Sequence, residues 1–287
     1  MSRSTATLVG LTAILLWASL ALATSATGAV PPFLLTALTF AIGGGVGIVA
    51  TLVRGVGLGV FRQSWPVWLH GVGGLFGYHF FYFSALKLAP PAEAGLIAYL
   101  WPLLIVLFSA FLPGERLRPA HILGALMGLA GTVVLLGAKA GGFGFAVEYV
   151  PGYLAAGVCA VVWSVYSVAS RRFADVPTDV VAGFCLATAA LSAVCHALFE
   201  PSIWPVGREW VAVVALGIGP VGIAFYTWDI GMKRGDIRLL GVASYAAPVL
   251  STLLLVAAGF AAPSWSLGAA CALIVGGAAV ATLMARR

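Results

Sequence analysis

The chain has 287 residues, of which 62% are hydrophobic and only 8% charged. Soluble domains carry about 25% charged residues, so this composition excludes a soluble fold and fits a protein that crosses the bilayer many times. Fifteen Lys and Arg against nine Asp and Glu give a net charge of +6, but the cations lie singly or in pairs between apolar runs, which excludes a nucleic-acid face and gives them a topological role.

Apolar segments of spanning length, about 20 residues each, can be placed ten times. The first, residues 6–26, contains Trp17 and Thr24. Arg3 ahead of it gives the look of a signal peptide, but the run is longer than a usual apolar core of such peptides and further spans follow, so it belongs to the fold. The second, 33–53, carries the small-residue spacing Gly43/Gly47, and the third, 66–88, carries Gly73/Gly77 with Tyr78, His79 and Tyr82 near its middle. The fourth, 92–112, is interrupted at Tyr99-Leu100-Trp101-Pro102, where proline removes a donor from the helical ladder and frees the carbonyl of Ala98. The fifth, 119–138, has Gly124/Gly128. These small-residue pairs let helices approach closely within one chain.

The sixth segment, 151–171, holds Trp163 with Tyr166, Ser167 and Ser170, and the seventh runs over 178–199. The eighth, 209–232, ends beside Asp229, Lys233 and Arg234. We read these, like Glu115 with Arg116 at the end of the fourth span, as solvated inner gates or plain topological charges. The ninth, 238–259, contains Ser244, Tyr245 and Pro248, and the tenth runs over 264–285. Cys159, Cys185, Cys195 and Cys271 lie inside apolar runs with no metal-ligand or CxxC spacing, so they are assigned to packing, and no metal or cofactor is expected.

Loop charges orient the spans. With a cytoplasmic N-terminus, Arg3, Arg54, Arg62, Arg116, Arg118, Arg171, Arg172, Lys233, Arg234, Arg238, Arg286 and Arg287 all fall inside, and only Lys87, Lys139 and Arg208 outside. The positive-inside rule then places both termini in the cytoplasm, which an even number of spans requires.

An offset of 146 residues relates the halves without a gap. It pairs Leu8/Leu154, Trp17/Trp163, Pro31/Pro177, Gly71/Gly217, Gly73/Gly219, Lys87/Lys233, Gly95/Gly241, Tyr99/Tyr245, Pro102/Pro248 and Gly131/Gly277. Matched Leu or Gly is cheap in this composition, whereas matched Trp, Tyr, Pro and Lys are not. Five spans per copy is an odd number, so the copies run in opposite directions, the arrangement typical of secondary transporters with a midplane site between the halves. The expected fold is therefore all-α and integral to the membrane, ten helices as two inverted five-helix repeats over 1–140 and 151–287 with an extracytoplasmic linker at 141–150.

The stretch from Ala85 to Leu136, with its central Tyr99-Leu100-Trp101-Pro102, then Gly114-Glu115-Arg116-Leu117 and the glycines Gly124, Gly128 and Gly131, resembles the EamA repeat of the drug/metabolite transporter superfamily. The second half keeps Gly241, Tyr245 and Pro248 but has Phe260-Ala261-Ala262-Pro263 where the first has the Gly-Glu-Arg-Leu sequence. The resemblance covers nearly the whole chain, and within the superfamily it is most similar to the YddG-type aromatic amino acid exporters.

Candidate substrate-binding residues are Trp17, Tyr78, His79, Tyr82, Tyr99, Trp101, Trp163, Ser244 and Tyr245, with Pro102 and Pro248 as hinges. A midspan His faces the bundle interior, either lining a cavity or hydrogen-bonded to a neighbouring helix. The tryptophans sit at midspan rather than in interfacial belts, and either line the cavity or pack helices. Ser and Thr have the competing option of bonding the carbonyl one turn back.

No partner acid stands beside His79 for intramembrane catalysis, no charged ring or carbonyl filter suggests a channel, and no P-loop is present, so the function read from the sequence is non-enzymatic secondary transport. The resemblance implies export of aromatic and other largely neutral amino acids across the bacterial cytoplasmic membrane, and the chain is expected to work as a monomer. The alternative is an exporter of aromatic cations or other small amphiphiles. Against it, the small multidrug pumps of the superfamily carry an acidic residue in the first span, and residues 6–26 contain none.

Overall fold

The structure, a computed structural model, describes residues 1–259 and 261–283. Phe260 and the pair Arg286 and Arg287, which entered the reasoning above, lie outside the described residues. All regular elements among the described residues are helices: α1 (Arg3–Ala18), α2 (Leu20–Ser25), α3 (Pro32–Val53), α4 (Trp65–Leu88), α5 (Pro91–Ala98), α6 (Trp101–Phe108), α7 (Pro119–Ala140), α8 (Val150–Ala169), α9 (Val181–Phe199), α10 (Glu209–Leu216), α11 (Ala224–Arg234), α12 (Ile237–Ala243), α13 (Ala246–Ala257) and α14 (Trp265–Leu283), with short 3-10 turns and one π segment, Gly217–Ile223, between α10 and α11. Counting helices that run on through such joints, nine stretches among the described residues are long and apolar enough to cross a membrane. The 24-residue α4 is as long as these, and His70, Tyr78, His79, Tyr82 and Lys87 dilute its apolar character.

The chain writes its own helix starts. Pro occupies the first or second position of α3, α4, α5, α6, α7 and α8, where its fixed φ suits the helix and its missing N–H removes a donor that has no partner there. Ser2 caps α1 through its hydroxyl, which accepts from Thr5 N at 3.1 Å. The carboxylate of Glu200 accepts from Phe33 N at 2.9 Å and Leu34 N at 3.1 Å, closing the start of α3 from a remote loop and placing negative charge at the positive end of its dipole.

The pairing of helices carries the 146-residue offset. α4 packs on α8 and α11 on α1, each pair the image of the other, while α3 packs on its own counterpart α9, and α7 on α14. The α7–α14 seam depends on missing side chains: a Cβ on Gly124 would lie 2.5 Å from Gly277 O, and one on Gly277 2.5 Å from Gly124 O. Gly43 likewise admits the π segment, with a Cβ there falling 2.8 Å from Gly217 O. The pair Gly73/Gly77 does not serve as expected. Gly73 faces open space, and α4 instead receives the rings of Phe184 and Tyr166 over Gly71 and Gly74.

Both interruptions expected from proline are present. α5 ends at Ala98 and α6 begins at Trp101, while α12 ends at Ala243 and α13 begins at Ala246. A third break, not anticipated, is the π segment around Pro220. Its counterpart in the first half, residues 71–77, is regular helix.

Candidate functional site

At the bundle centre four tryptophans from four elements meet: Trp17 from α1, Trp101 from α6, Trp163 from α8 and Trp228 from α11. Trp17 lies 6.4 Å from Trp101, 5.7 Å from Trp163 and 5.0 Å from Trp228 between ring centroids. Trp101 is 6.2 Å from Trp163 and 6.0 Å from Trp228. Most of these pairs are edge-to-face, the arrangement that brings a positive ring edge to a negative ring face. Phe225 closes the group, 6.0 Å from Trp17 and 5.9 Å from Trp163.

Tyr78 extends the cluster along α4. Its ring stands 5.2 Å from Trp163, 5.2 Å from His79 and 5.8 Å from Tyr82, on which it stacks. His79 packs on Phe40 at 5.0 Å, and its Nδ1 lies 2.7 Å from Leu75 O. A carbonyl can only accept, so Nδ1 carries the hydrogen and neutral His79 keeps Nε2 as an acceptor. Tyr99 sits in the turn between α5 and α6. Tyr78, His79, Tyr82, Tyr99 and Trp17 are half-buried, whereas Trp101, Trp163 and Trp228 are buried.

Hydrogen-bond accounting separates lining from packing. Trp17 Nε1 donates to Pro220 O at 3.0 Å and Trp228 Nε1 to Ser167 Oγ at 3.1 Å, so both indoles are spent on the fold. Ser164 Oγ donates to the carbonyl of Trp101 at 3.0 Å and fixes the start of α6 against α8. The hydroxyls of Tyr78, Tyr82 and Tyr99, the Nε1 groups of Trp101 and Trp163 and Nε2 of His79 make no side-chain hydrogen bond among the described residues. None of them is among the sealed atoms either: the buried, unpartnered side-chain atoms there are Arg171 Nε, Thr188 Oγ1, Ser192 Oγ and Arg238 Nε. Donors and acceptors left free around an aromatic surface can take up the polar head of a bound molecule while the rings take its apolar part.

Two of the expected residues fall elsewhere. Ser244 Oγ donates to Leu240 O at 2.7 Å, the bond one turn back, and Ser244 is fully buried. Tyr245 is fully buried against Val106, Ala125, Val242 and Val249, with its hydroxyl accepting from Leu103 N at 3.2 Å. Both are committed to packing around the second break. Trp228 and Phe225 were not singled out from the sequence, although the offset of 146 carries Tyr82 onto Trp228 and His79 onto Phe225.

The end of the bundle that holds Arg3 is closed by charge. Glu115 pairs with Arg3 at 3.0 Å and with Arg238 at 2.9 Å, rather than with the adjacent Arg116. Asp236 lies 3.4 Å from Arg3, and Arg171 donates to Gly235 O at 2.7 Å. Asp229 and Lys233 are not solvated: they are 3% and 6% exposed and 2.9 Å apart. Thr178 Oγ1 donates to Asp229 at 2.6 Å and Lys233 donates to Val176 O at 2.9 Å, so the pair clamps α11 to the segment before α9. At the opposite end, near Lys139, Tyr153 and Gly144 N bind Glu93, and Lys139 donates to Thr252 at 2.9 Å. No group of three His, Cys, Asp or Glu side chains that could hold a metal ion occurs among the described residues.

The profile of the EamA-like transporter family matches residues 4–137 and again residues 150–283. The chain is 86% identical over 287 residues to the aromatic amino acid exporter YddG of Ancylobacter novellus, covering all of both chains. It is 25% identical over 299 aligned positions to the aromatic amino acid exporter YddG of Escherichia coli K12, again across both full lengths. A solved crystal structure 85% identical in sequence superposes with a TM-score of 0.97, over 100% of this chain and 99% of that one.

Proposed function

The chain belongs to the EamA-like transporter family, and on that premise we propose that it is a secondary transporter exporting aromatic and other largely neutral amino acids across the bacterial cytoplasmic membrane. The observation that carries this reading is the set of unspent polar groups on Tyr78, His79, Tyr82, Tyr99, Trp101 and Trp163 around the tryptophan centre. The rings offer stacking surface to an aromatic side chain, and the hydroxyls and His79 Nε2 offer partners to an amino-acid head. Trp17 belongs to the same wall through its ring. Ser244 and Tyr245 we assign to the joint between α12 and α13 instead of to substrate contact.

The topology that serves this function is ten spans as two inverted repeats, 1–140 and 151–287 joined by 141–150, with α4 as a full member and both termini cytoplasmic. Two family matches displaced by the same 146 residues support it, as does the helix pairing that maps onto itself under that displacement. α4 forgoes apolar character because one of its faces serves the centre. A single chain holds both repeats and the whole cluster, which supports function as a monomer.

Alternating access follows from the same frame. The Arg3 end is sealed by the Glu115 ion pairs and by α6 packed on α12, while the half-buried tyrosines lie toward the Lys139 end. The conformation is thus read as open away from the cytoplasm, with Pro102 and Pro248 as the points where half-helices tilt while their freed carbonyls stay beside protein or water.

Uptake and counterflow in proteoliposomes test the function, with a panel of amino acids and organic cations, with and without a pH gradient. Saturable exchange of tryptophan, phenylalanine and tyrosine is expected. Movement of organic cations alone would overturn the proposal.

A further inference from the structure

At the Arg3 end, outside the aromatic centre, a cavity of about 300 Å³ is lined by Gly114, Arg116, Arg118, His121, Asp236, Arg238, Leu239, Ala281 and Thr282. Its charged walls come from two elements, the loop leading into α7 and the start of α12, so the cations converge instead of lining one exposed face. Their acid partners are already taken. Glu115 is shared by Arg3 and Arg238. Asp236 Oδ1 accepts from Arg238 N at 3.2 Å and Leu239 N at 3.1 Å, and its Oδ2 lies 3.4 Å from Arg3.

Arg116 and Arg118 are exposed and make no ion pair among the described residues, unlike Arg54, which pairs with Asp179. Arg238 is committed to the fold: its Nη2 meets Glu115 at 2.9 Å, its Nη1 donates to the carbonyl of Arg116, and its Nε is buried without a hydrogen-bond partner among the described residues, so it adds positive charge beside the hollow and no free donor. His121 Nδ1 accepts from Arg118 N at 3.1 Å, so a neutral ring carries its hydrogen on Nε2 as a further donor. The cavity also opens at the first turn of α7, the positive end of a 22-residue helix. Topological charge alone asks only for cations on this side of the membrane; it does not ask for two unpaired guanidinium groups, a third held beside them and an imidazole around one hollow.

We propose that this cavity is a binding site for a phosphate-type oxyanion, the headgroup of an anionic phospholipid or a free phosphate. Guanidinium groups match phosphate oxygens by paired, charge-assisted hydrogen bonds, and basic pockets between helices at the cytoplasmic surface take lipid headgroups in this way. Leu239 and Ala281 add apolar lining beside the charged groups.

The test uses the full chain purified in neutral detergent. Its thermal unfolding midpoint is measured with phosphatidylglycerol, phosphatidylcholine, inorganic phosphate or chloride at matched ionic strength, and native mass spectrometry counts retained lipid. A rise with phosphatidylglycerol only identifies a lipid headgroup, and a rise with inorganic phosphate as well identifies a site for free phosphate too. The double variant Arg116→Gln with Arg118→Gln is expected to keep the ligand-free midpoint and lose about tenfold in affinity per guanidinium removed. Equal midpoints under all four conditions with no retained lipid, or an undiminished rise in the double variant, would overturn the proposal.

Discussion

Tyr99 and Tyr245 occupy the same place in the two copies of the interrupted helix, and the structure uses them differently. Tyr245 is sealed in the core, where its hydroxyl accepts from Leu103 N just after Pro102, and α6 packs along α12. Tyr99 is half-buried, its hydroxyl makes no side-chain hydrogen bond among the described residues, and the counterpart pair, α5 and α13, does not pack to a comparable extent. The donor matching Leu103 N would be Val249 N, and no side chain among the described residues bonds it. One sequence element is thus latched at the Arg3 end and unlatched at the Lys139 end. In the alternating access proposed above the repeats rock about a shared site, and if the copies exchange these roles, Tyr99 to Val249 N is the bond expected to form when the Lys139 end closes.

The largest effect tests whether the two ends differ in how firmly they are held. Asp229→Ala strands Lys233 as a buried unpaired charge, so unfolding stability in detergent should fall by about 3–5 kcal/mol. The equivalent of Lys233 in the first repeat is Lys87, which is exposed, and Lys87→Ala should stay within about 0.5 kcal/mol. Similar small losses in both would remove the contrast. A second test returns to the joints. Pro102→Ala restores a donor for the Ala98 carbonyl and stiffens the run from α5 to α6. The unfolding midpoint should hold or rise while counterflow falls several-fold, and wild-type counterflow would show that the break is ordinary packing. The smallest effect concerns His79. His79→Ala loses one acceptor, weakening substrate binding by about 0.5–1.5 kcal/mol, and His79→Gln should retain much of the transport. Transport abolished in a folded His79→Gln would point instead to proton coupling.

Much of this was legible in the chain. The 146-residue offset, the midspan tryptophans and the paired prolines anticipate the tryptophan meeting point and both breaks, because matched Trp, Tyr and Pro residues report a repeated structural element. Trp228 and Phe225 were within reach by the same offset, and what hid them was the weak resemblance of Trp to Tyr and of Phe to His. Asp229 and Lys233 read as solvated because an i, i+4 ion pair at a span end normally is. Their burial depends on Thr178 and Val176, brought over them by tertiary packing alone. The different fates of Tyr99 and Tyr245 were beyond sequence reasoning, since both sit in the same local pattern of Gly, Tyr and Pro and only tertiary packing decides which is sealed.

The exchange of roles is tested most directly by paired spin-label distances, one pair across the Arg3 end at Phe108 and Leu239 and one across the Lys139 end at Leu96 and Leu254. In the unaltered protein the first pair should be close and the second apart. Tyr245→Phe leaves Leu103 N without its partner, a loss of about 1–3 kcal/mol or roughly 5- to 150-fold in population. It should lengthen the first distance and shorten the second, whereas Tyr99→Phe should leave the resting distances unchanged. Unchanged distances in Tyr245→Phe, or the same shift in both variants, would contradict the account.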